Sequence, residues 1–351
     1  MSRFSNDRLK SLTPYTPGEQ PKERKYIKLN TNESPYPPSE KAIKKASEAA
    51  ESLMLYSDPE SRVLTEKMAE VLGVSYDEVL MTNGSDEILN FAFMAFCDKD
   101  KPAVFPDITY GFYPVFADLN GVPYEEIPLE DDFSIDIKKY FNAGKMVVIA
   151  NPNAPTGIYL TLSEIEEIVK NNKENVVVID EAYVDFGNES AISLIRKYDN
   201  LLVTGTFSKS RSMAGARLGF GCGNPSLIAD LNTIKYSTNP YNVNKMTQAA
   251  GIGVLEDEEY TKENLKKIVE TREYTKAELS KLGFTLTDSK ANFIFAKHNT
   301  LSGEEIYKAL REKGILVRHF TKEKIKDYNR ITVGSREEMD ALLSALSEIT
   351  K

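Results

Sequence analysis

The residues best suited to covalent chemistry lie between Leu201 and Gly221, in the stretch LLVTGTFSKSRSMAGARLGFG. Its first apolar residues predict a short buried strand that turns at residues 204–206. Ser208 and Lys209 follow this turn, and Arg217 lies a short distance further along the chain. A lysine there can form a Schiff base with an aldehyde cofactor, while the neighbouring hydroxyl and guanidinium groups can hold that cofactor's phosphate. The alternative is a solvated lysine at a sheet edge, so the hypothesis depends on the rest of the chain.

A second group of candidates follows the apolar, β-branched segment from Val176 to Ile179. Asp180 comes directly after it, and Tyr183 lies in the same turn. A carboxylate at the end of a buried strand is costly unless it is paired or hydrogen-bonded. A protonated pyridine nitrogen would be a suitable partner for Asp180, because it lets a cofactor ring accept electrons when a substrate Cα–H bond breaks. The alternative is an aspartate that only caps the next segment. This alternative is weaker when Asp180 and Lys209 are considered together.

The elements around these residues alternate between helices and strands that are apolar throughout. This alternation is typical of an α/β fold with a parallel sheet covered by helices on both faces, where ligands bind at the C-terminal ends of the strands. Gly84, Asn153, Asp180 and Lys209 all fall at such ends. We therefore expect a single site at this edge of a mainly parallel sheet.

A helix is predicted from Ser85 to Phe96, directly after one of these strand ends. The N–H groups of Ser85 and Asp86 in its first turn could receive a phosphate, and helix capping alone is the alternative. The glycine-rich stretch GFGCG at residues 219–223 lacks the G-x-G-x-x-G spacing and the strand-to-helix context of a dinucleotide site. We therefore reject a dinucleotide-binding interpretation.

The length of 351 residues predicts about two domains. After the charged helix predicted between Glu256 and Leu282, the pattern changes to that of a smaller α+β domain. We expect residues 31–258 to form a large domain. Residues 1–30 and 259–351 would form an N-terminal arm and a small C-terminal domain.

Composition and charge restrict the possible partners. A formal net charge of −9 disfavours nucleic acid or an anionic membrane as the main partner. Two cysteines without a CxxC pair are typical of a reducing compartment, and two histidines give little basis for a metal site. The N-terminal residues form no signal-like apolar segment, and no apolar run reaches membrane-spanning length. We expect a soluble, cytoplasmic protein without a metal that acts on small molecules.

Several motifs together resemble those of the fold-type-I pyridoxal-phosphate aminotransferases. They are NPNAPTG at 151–157, DEAY at 180–183 and the Ser208–Lys209 pair followed by Arg217. More narrowly, nearly the whole chain is similar to the family of histidinol-phosphate aminotransferases. The motifs of this narrower similarity are LTPY at 12–15, LNTNESP at 29–35, TNGSDE at 82–87, TYGFY at 109–113 and NRITVGSREE at 329–338.

The resemblance implies a role for each candidate residue. Lys209 would carry pyridoxal phosphate and move a proton, Asp180 and Tyr183 would contact its ring, and Tyr110 would stack on the ring. Tyr56 would reach the cofactor phosphate of the neighbouring subunit in a homodimer with shared active sites. The other residues implied for the cofactor phosphate are Ser85, Asp86, Thr206, Ser208 and Arg217. The residues implied for the substrate pocket are Tyr15, Asn32, Arg318 and Arg330.

One position departs from the family pattern. The family usually has asparagine directly before Pro-Thr-Gly, where it contacts the ring oxygen of the cofactor. Here Ala154 occupies that position and Asn153 precedes it. Either Asn153 replaces the missing side chain through a local shift, or Tyr183 makes the contact alone.

The resemblance also implies a reaction. The enzyme would exchange an amino group between histidinol phosphate and 2-oxoglutarate, giving imidazole-acetol phosphate and glutamate, in histidine biosynthesis. The alternatives with the same fold are a threonine-phosphate decarboxylase and a broad-specificity aromatic aminotransferase. A non-catalytic pyridoxal-phosphate sensor is disfavoured, because the chain has no basic DNA-binding extension.

Overall fold

The structure is a computed structural model that describes residues 2–351. Its strands are β1 (Ile27–Lys28), β2 (Val79–Thr82), β3 (Ala103–Pro106), β4 (Tyr124–Ile127), β5 (Met146–Ala150), β6 (Val177–Asp180), β7 (Leu201–Thr206), β8 (Gly219–Gly223), β9 (Phe284–Leu286), β10 (Phe293–His298), β11 (Ile315–Leu316), β12 (Arg318–His319) and β13 (Tyr328–Thr332). Its α-helices are α1 (Asp7–Ser11), α2 (Glu40–Ala50), α3 (Arg62–Leu72), α4 (Ser85–Phe96), α5 (Tyr113–Asn120), α6 (Leu162–Lys170), α7 (Pro225–Thr238), α8 (Lys245–Leu255), α9 (Glu258–Lys281), α10 (Gly303–Glu312) and α11 (Arg336–Ile349).

The larger sheet has seven strands in the order β2-β8-β7-β6-β5-β3-β4. The pairings β3–β4, β3–β5, β5–β6 and β6–β7 are parallel, and β8 is antiparallel to both of its neighbours. Every residue of β5, β6 and β7 is buried. Apolar clusters lie on both faces of the sheet, as the uninterrupted apolar strands require. The predicted α/β fold with a mainly parallel sheet is therefore confirmed.

The antiparallel strand β8 contains the glycine-rich stretch GFGCG. A Cβ atom at Gly219 would lie 2.4 Å from the backbone nitrogen of Ser85, and one at Gly221 would lie 2.7 Å from a side-chain carbon of Ile88. The glycines therefore allow the first turns of α4 to pack directly on the strand. This contact fixes where the N-terminus of α4 lies relative to the end of β7.

A smaller antiparallel sheet has the strand order β12-β13-β10-β9. Its apolar cluster includes residues of α9, α10 and α11. The arm reaches this region through β1, which pairs in parallel with β11 and matches Ile27 with Ile315. The division into residues 31–258 and residues 1–30 plus 259–351 stays a prediction. In the sequence, all strands of the larger sheet precede the boundary at residue 258, and all strands of the smaller antiparallel sheet follow it. None of the helices formed by residues 2–351 is long and apolar enough to cross a membrane.

One local prediction is wrong. The chain does not turn at residues 204–206, because β7 continues to Thr206 and pairs Thr206 with Gly219 of β8. Between β6 and β7, residues Ala191–Leu194 form a 3₁₀ helix, with the Ser190 side chain capping its start. A hydroxyl that binds a backbone N–H two residues later favours such a short turn over a longer helix.

Candidate active site

A cavity of about 850 Å³ lies at the C-terminal ends of the parallel strands. Residues of the arm, of the loop after β1 and of β12 and β13 complete its walls. All the predicted site residues line it except Asn153 and Tyr56. The predicted residues in the lining are Tyr15, Asn32, Ser85, Asp86, Tyr110, Asp180, Tyr183, Thr206, Ser208, Lys209, Arg217, Arg318 and Arg330.

Lys209 lies just beyond the end of β7, and its Nζ donates to the backbone oxygen of Thr31 at 3.1 Å. Burial lowers the pKa of Lys209 to about 8, and the positive charges of Arg330 and Arg217 act in the same direction. A lowered pKa increases the fraction of neutral amine near neutral pH. The side chain therefore has the properties of a nucleophilic amine rather than of a surface charge.

Asp180 ends β6 and pairs in register with Thr204 of β7. Its carboxylate accepts a hydrogen bond from the Tyr113 hydroxyl at 2.8 Å and a longer one from the Thr204 hydroxyl at 3.3 Å. Burial raises the pKa of Asp180 to about 6, against the effect of these hydrogen bonds. Neither donor was predicted from the sequence, although Tyr113 is the last residue of the TYGFY motif.

An anion cradle is formed where α4 begins next to the end of β7. Arg217 donates to the Ser208 hydroxyl at 3.3 Å and pairs with the Asp86 carboxylate at 3.1 Å. Gly84 precedes the helix with a φ of 79°, and a Cβ atom there would lie 2.7 Å from the Arg217 guanidinium. No side chain among the described residues caps the first turn of α4. Backbone N–H groups, hydroxyls and a guanidinium thus meet at one point, which suits a phosphate group.

Aromatic side chains form the wall next to this cradle. The Tyr110 hydroxyl donates to Asp86 at 2.7 Å, and burial raises its pKa. Tyr15, from the arm, stacks on Phe112 with the ring centroids 4.3 Å apart, and it lies 6.3 Å from the Tyr110 ring. The arm therefore contributes directly to the wall of the cavity.

Tyr183 is held by the loop that follows β1. Its hydroxyl accepts a hydrogen bond from Asn32 Nδ2 at 2.9 Å. Asn32 adopts a φ of 54°, and its Oδ1 accepts from the Thr332 hydroxyl at 3.1 Å. Asn32, implied above as a substrate-binding residue, thus has both side-chain atoms engaged within the protein. Sequence reasoning missed Thr332, which lies inside the motif NRITVGSREE.

Two arginines from the small sheet face the cavity. Arg330 donates to the backbone oxygen of Asn30 at 3.1 Å, and its Nε is buried without a hydrogen-bond partner within residues 2–351. Arg318 donates instead to the backbone oxygens of Thr16 and Pro17, at 3.0 and 3.1 Å. Arg330 therefore has donor capacity left for an anion, whereas Arg318 holds the arm.

Asn153 does not face the cavity. Its amide nitrogen donates to Ile108 O and Thr156 Oγ1, and its oxygen accepts from the Thr109 hydroxyl. Ala154 lines the cavity in its place. Of the two possibilities for the ring-oxygen contact, this arrangement favours Tyr183 alone.

Tyr56 lies outside the cavity of its own chain. It is 81% exposed, stacks on Tyr241 with centroids 4.5 Å apart, and follows three exposed apolar residues, Leu53, Met54 and Leu55. An exposed apolar cluster of this kind is typical of a surface that contacts another protein chain.

Comparisons with known proteins place these features in a wider context. The family model "Aminotransferase class I and II" matches residues 24–346. The histidinol-phosphate aminotransferase of Brachyspira hyodysenteriae is 50% identical over 353 residues, covering 100% of both chains. The enzyme of the same name from Clostridium acetobutylicum is 48% identical and covers 99% of each chain. The crystal structure of histidinol-phosphate aminotransferase from Sinorhizobium meliloti in complex with pyridoxal-5'-phosphate has a TM-score of 0.90 at 24% identity, over 100% of this chain and 98% of that one.

Proposed function

We propose that this chain, which belongs to the class I and II aminotransferase family, is a pyridoxal-phosphate-dependent enzyme that exchanges an amino group between histidinol phosphate and 2-oxoglutarate. The products are imidazole-acetol phosphate and glutamate, and the reaction belongs to histidine biosynthesis. The full-length relatives named for this activity, at 45–50% identity, support the choice of substrate.

The residues of the cavity fit pyridoxal phosphate. The cradle of Arg217, Ser208, Thr206 and the first turn of α4 suits its phosphate, and a side chain at position 84 would collide with Arg217. When bound, the cofactor supplies an electron-accepting ring that stabilises negative charge at the substrate Cα.

The protein side chains supply the proton transfers and the orientation. Lys209 would hold the cofactor, and its neutral amine would move a proton to and from the substrate Cα. Asp180 would keep the ring nitrogen protonated, since a carboxylate next to it favours the charged form. The Tyr183 hydroxyl would donate to the ring oxygen, and Tyr110 would stack on the ring.

The single observation that carries the substrate assignment is the incompletely bonded guanidinium of Arg330. Histidinol phosphate carries a phosphate and no carboxylate, while glutamate carries two carboxylates and no phosphate, so one pocket must accept both anions. A guanidinium fork fits either group. Arg330 Nε is buried without a partner in the described chain, so a bound anion would satisfy a donor that is otherwise costly to leave unpaired.

Single-turnover experiments with the purified holoenzyme test this function. We expect histidinol phosphate and glutamate each to convert the bound cofactor to its amine form, and 2-oxoglutarate to restore it. Reaction with threonine phosphate and release of carbon dioxide, without reaction of histidinol phosphate, would instead identify a decarboxylase. Fast conversion by aromatic amino acids alone would identify a broad-specificity aminotransferase.

A homodimer with shared active sites completes the proposal. Each subunit would lend Tyr56 to the cofactor phosphate of the other across a two-fold axis. The exposed segment Leu53–Tyr56 supports this, because its apolar side chains would be covered by a second copy. We also propose a cytoplasmic location, which the two unpaired cysteines, Cys97 and Cys222, support.

A further inference from the structure

Ala154 places a methyl group in the cavity wall at the position where the family usually has an asparagine. The protein therefore lacks a second hydrogen-bond donor to the cofactor's ring oxygen at this position. Ala154 is buried and lines the cavity, and the amide of Asn153 is occupied by Ile108, Thr109 and Thr156. The ring-oxygen contact in the proposed function therefore depends on the hydroxyl of Tyr183. A hydroxyl can either donate or accept at a given partner, so the direction of its proton decides whether the contact forms.

The hydrogen bonds around Asn32 determine that direction. The backbone N–H of Asn32 donates to Thr332 Oγ1 at 2.9 Å, and the only acceptor for the Thr332 hydroxyl proton among residues 2–351 is Asn32 Oδ1, 3.1 Å away. This fixes which end of the Asn32 amide is oxygen. The other end, Nδ2, can only donate, and it lies 2.9 Å from the Tyr183 oxygen. The Tyr183 hydroxyl must therefore accept from Asn32, and its proton is left for another partner.

We propose that Asn32 and Thr332 are positioning residues that make Tyr183 an obligatory hydrogen-bond donor to the ring oxygen of bound pyridoxal phosphate, in place of the asparagine absent at position 154. This inference rests on the proposed function, which assigns that contact to Tyr183. The Tyr183 hydroxyl donates to no atom of residues 2–351, so its proton is available to the cofactor.

We call the hydrogen-bonded series Thr332–Asn32–Tyr183 the relay, and its surroundings keep these hydrogen bonds intact. Asn32 and Thr332 are 1% and 2% exposed, so water does not compete for their hydrogen bonds. Burial raises the pKa of Tyr183, which keeps the hydroxyl protonated and able to donate. Asn292 supports the same loop in a different way, because its amide donates to the backbone oxygen of Asn32 at 3.0 Å and makes no hydrogen bond to the Asn32 side chain.

The relay has a spectroscopic consequence. Donation to the ring oxygen stabilises its anionic form, so it lowers the pH at which the visible absorption of the lysine-bound cofactor changes. Weakening the donation should raise this midpoint. An added donor should lower it, independently of any effect on catalytic rate.

A spectrophotometric pH titration of purified holoenzyme variants tests the proposal. We expect Tyr183→Phe to raise the midpoint most, and Asn32→Ala and Thr332→Val to raise it by roughly half to one pH unit. Thr332→Ser keeps the hydroxyl and should titrate like the wild type. Ala154→Asn adds the missing donor, so it should lower the midpoint and return it towards the wild-type value in the Asn32→Ala background.

Asn292→Ala is the matched control, because it loosens the loop without removing a member of the relay. A shift from Asn292→Ala as large as that from Asn32→Ala would show a general displacement of the loop and overturn the proposal. Wild-type midpoints for Asn32→Ala and Thr332→Val, with a shifted Tyr183→Phe, would overturn the relay and leave the role of Tyr183 standing. An unshifted Tyr183→Phe would overturn both. If Asn32→Ala does not fold, the midpoints of Thr332→Val, Thr332→Ser and Ala154→Asn test the relay by the same criteria.

Discussion

Arg318 and Arg330 lie directly opposite each other on the antiparallel strands β12 and β13. Both guanidinium groups donate to backbone oxygens, Arg318 to Thr16 and Pro17 and Arg330 to Asn30. Burial lowers the pKa of Arg330, and the positive charge of Arg318 acts in the same direction. An anionic substrate bound by Arg330 would relieve this repulsion, which makes Arg330 the main determinant of substrate binding in the proposed function.

The first prediction concerns Arg330→Lys. A lysine keeps the charge and loses the planar fork, so we expect kcat/KM to fall for both histidinol phosphate and glutamate. The loss of one hydrogen bond to a charged group is about 1.5–3 kcal/mol, or roughly 10- to 150-fold. Steady-state kinetics with both substrates measure it. Arg336→Lys, at an exposed arginine paired with Asp340, is the control. Unchanged kcat/KM and KM values for both substrates in Arg330→Lys would contradict the assignment.

The second prediction concerns the pH dependence of cofactor attachment to the apo-protein. The pKa of Lys209 is lowered from 10.5 to about 8, so the attachment rate should rise with pH and level off above about 8. Arg330→Gln removes a positive charge and should raise this midpoint, whereas Arg330→Lys should not. Stopped-flow absorbance measures the rates, and Lys209→Ala should show no attachment. The same midpoint in Arg330→Gln as in the wild type would contradict this electrostatic explanation.

The lowered pKa of Lys209 also affects the stability of the apo-protein. Between the folded value of about 8 and the unfolded value of 10.5, the unfolded chain binds the extra proton. The free energy of unfolding therefore rises with pH through this interval because of Lys209. Below a pH of about 8, Lys209 is protonated in both states and this gain in stability is lost. Urea unfolding of wild type and Lys209→Met at several pH values separates this effect from that of the other groups.

The third prediction concerns Tyr113→Phe. The Tyr113 hydroxyl donates to Asp180, whose pKa is about 6, and its loss should raise that pKa further. The carboxylate would then lose its charge at higher pH, so we expect the acid limb of the kcat profile to move up by about one pH unit. Tyr140→Phe is the control, because the Tyr140 hydroxyl is buried without a partner in the described part of the chain. Coincident profiles for Tyr113→Phe and wild type would show that Tyr113 does not tune Asp180.

The fourth prediction concerns the shared site. Tyr56→Ala and Lys209→Ala should each be nearly inactive as homodimers. When the two are refolded together, about half of the dimers are mixed, and each mixed dimer has one site with both defects and one with neither. Activity should recover to about a quarter of the wild type. Mixing Lys209→Ala with Asp180→Ala, two changes in the same subunit's site, should restore nothing. No recovery in the first mixture, with mixed dimers confirmed by native mass spectrometry, would refute the exchange of Tyr56.

Most of the predicted site residues line the cavity. The family resemblance implied many of them, and the strand pattern itself located those that follow the apolar strands at the same edge of the sheet. Asp180 and Lys209 are examples, since a strand of buried β-branched residues indicates both its own end and the position of the next side chain. The antiparallel direction of β8 was not predicted. It depends on the close approach of α4 to Gly219 and Gly221, a contact between segments that are far apart in the sequence.

The partners of individual polar groups could not be predicted from the pattern either. Asn153 and Arg318 are polar residues in suggestive positions, yet their donors are engaged by Ile108 and Thr156 in one case and by Thr16 and Pro17 in the other. Three of these four bonds go to backbone oxygens, which every residue type carries, so no sequence signal marks them.

The pairing of β1 with β11 has a consequence for the synthesis of the protein. Ile27 meets Ile315, 288 residues later in the chain (315 − 27), and Asn32 meets Thr332. At about 5–20 residues per second, the ribosome makes the second strand roughly 15–60 s after the first. Lys209 emerges during this interval, before the loop that carries its acceptor Thr31 has a partner strand to rest on. The cavity can therefore be enclosed only after β11 and β13 have been made, and a ribosome that stalls within β11 leaves a nascent protein with an open cavity.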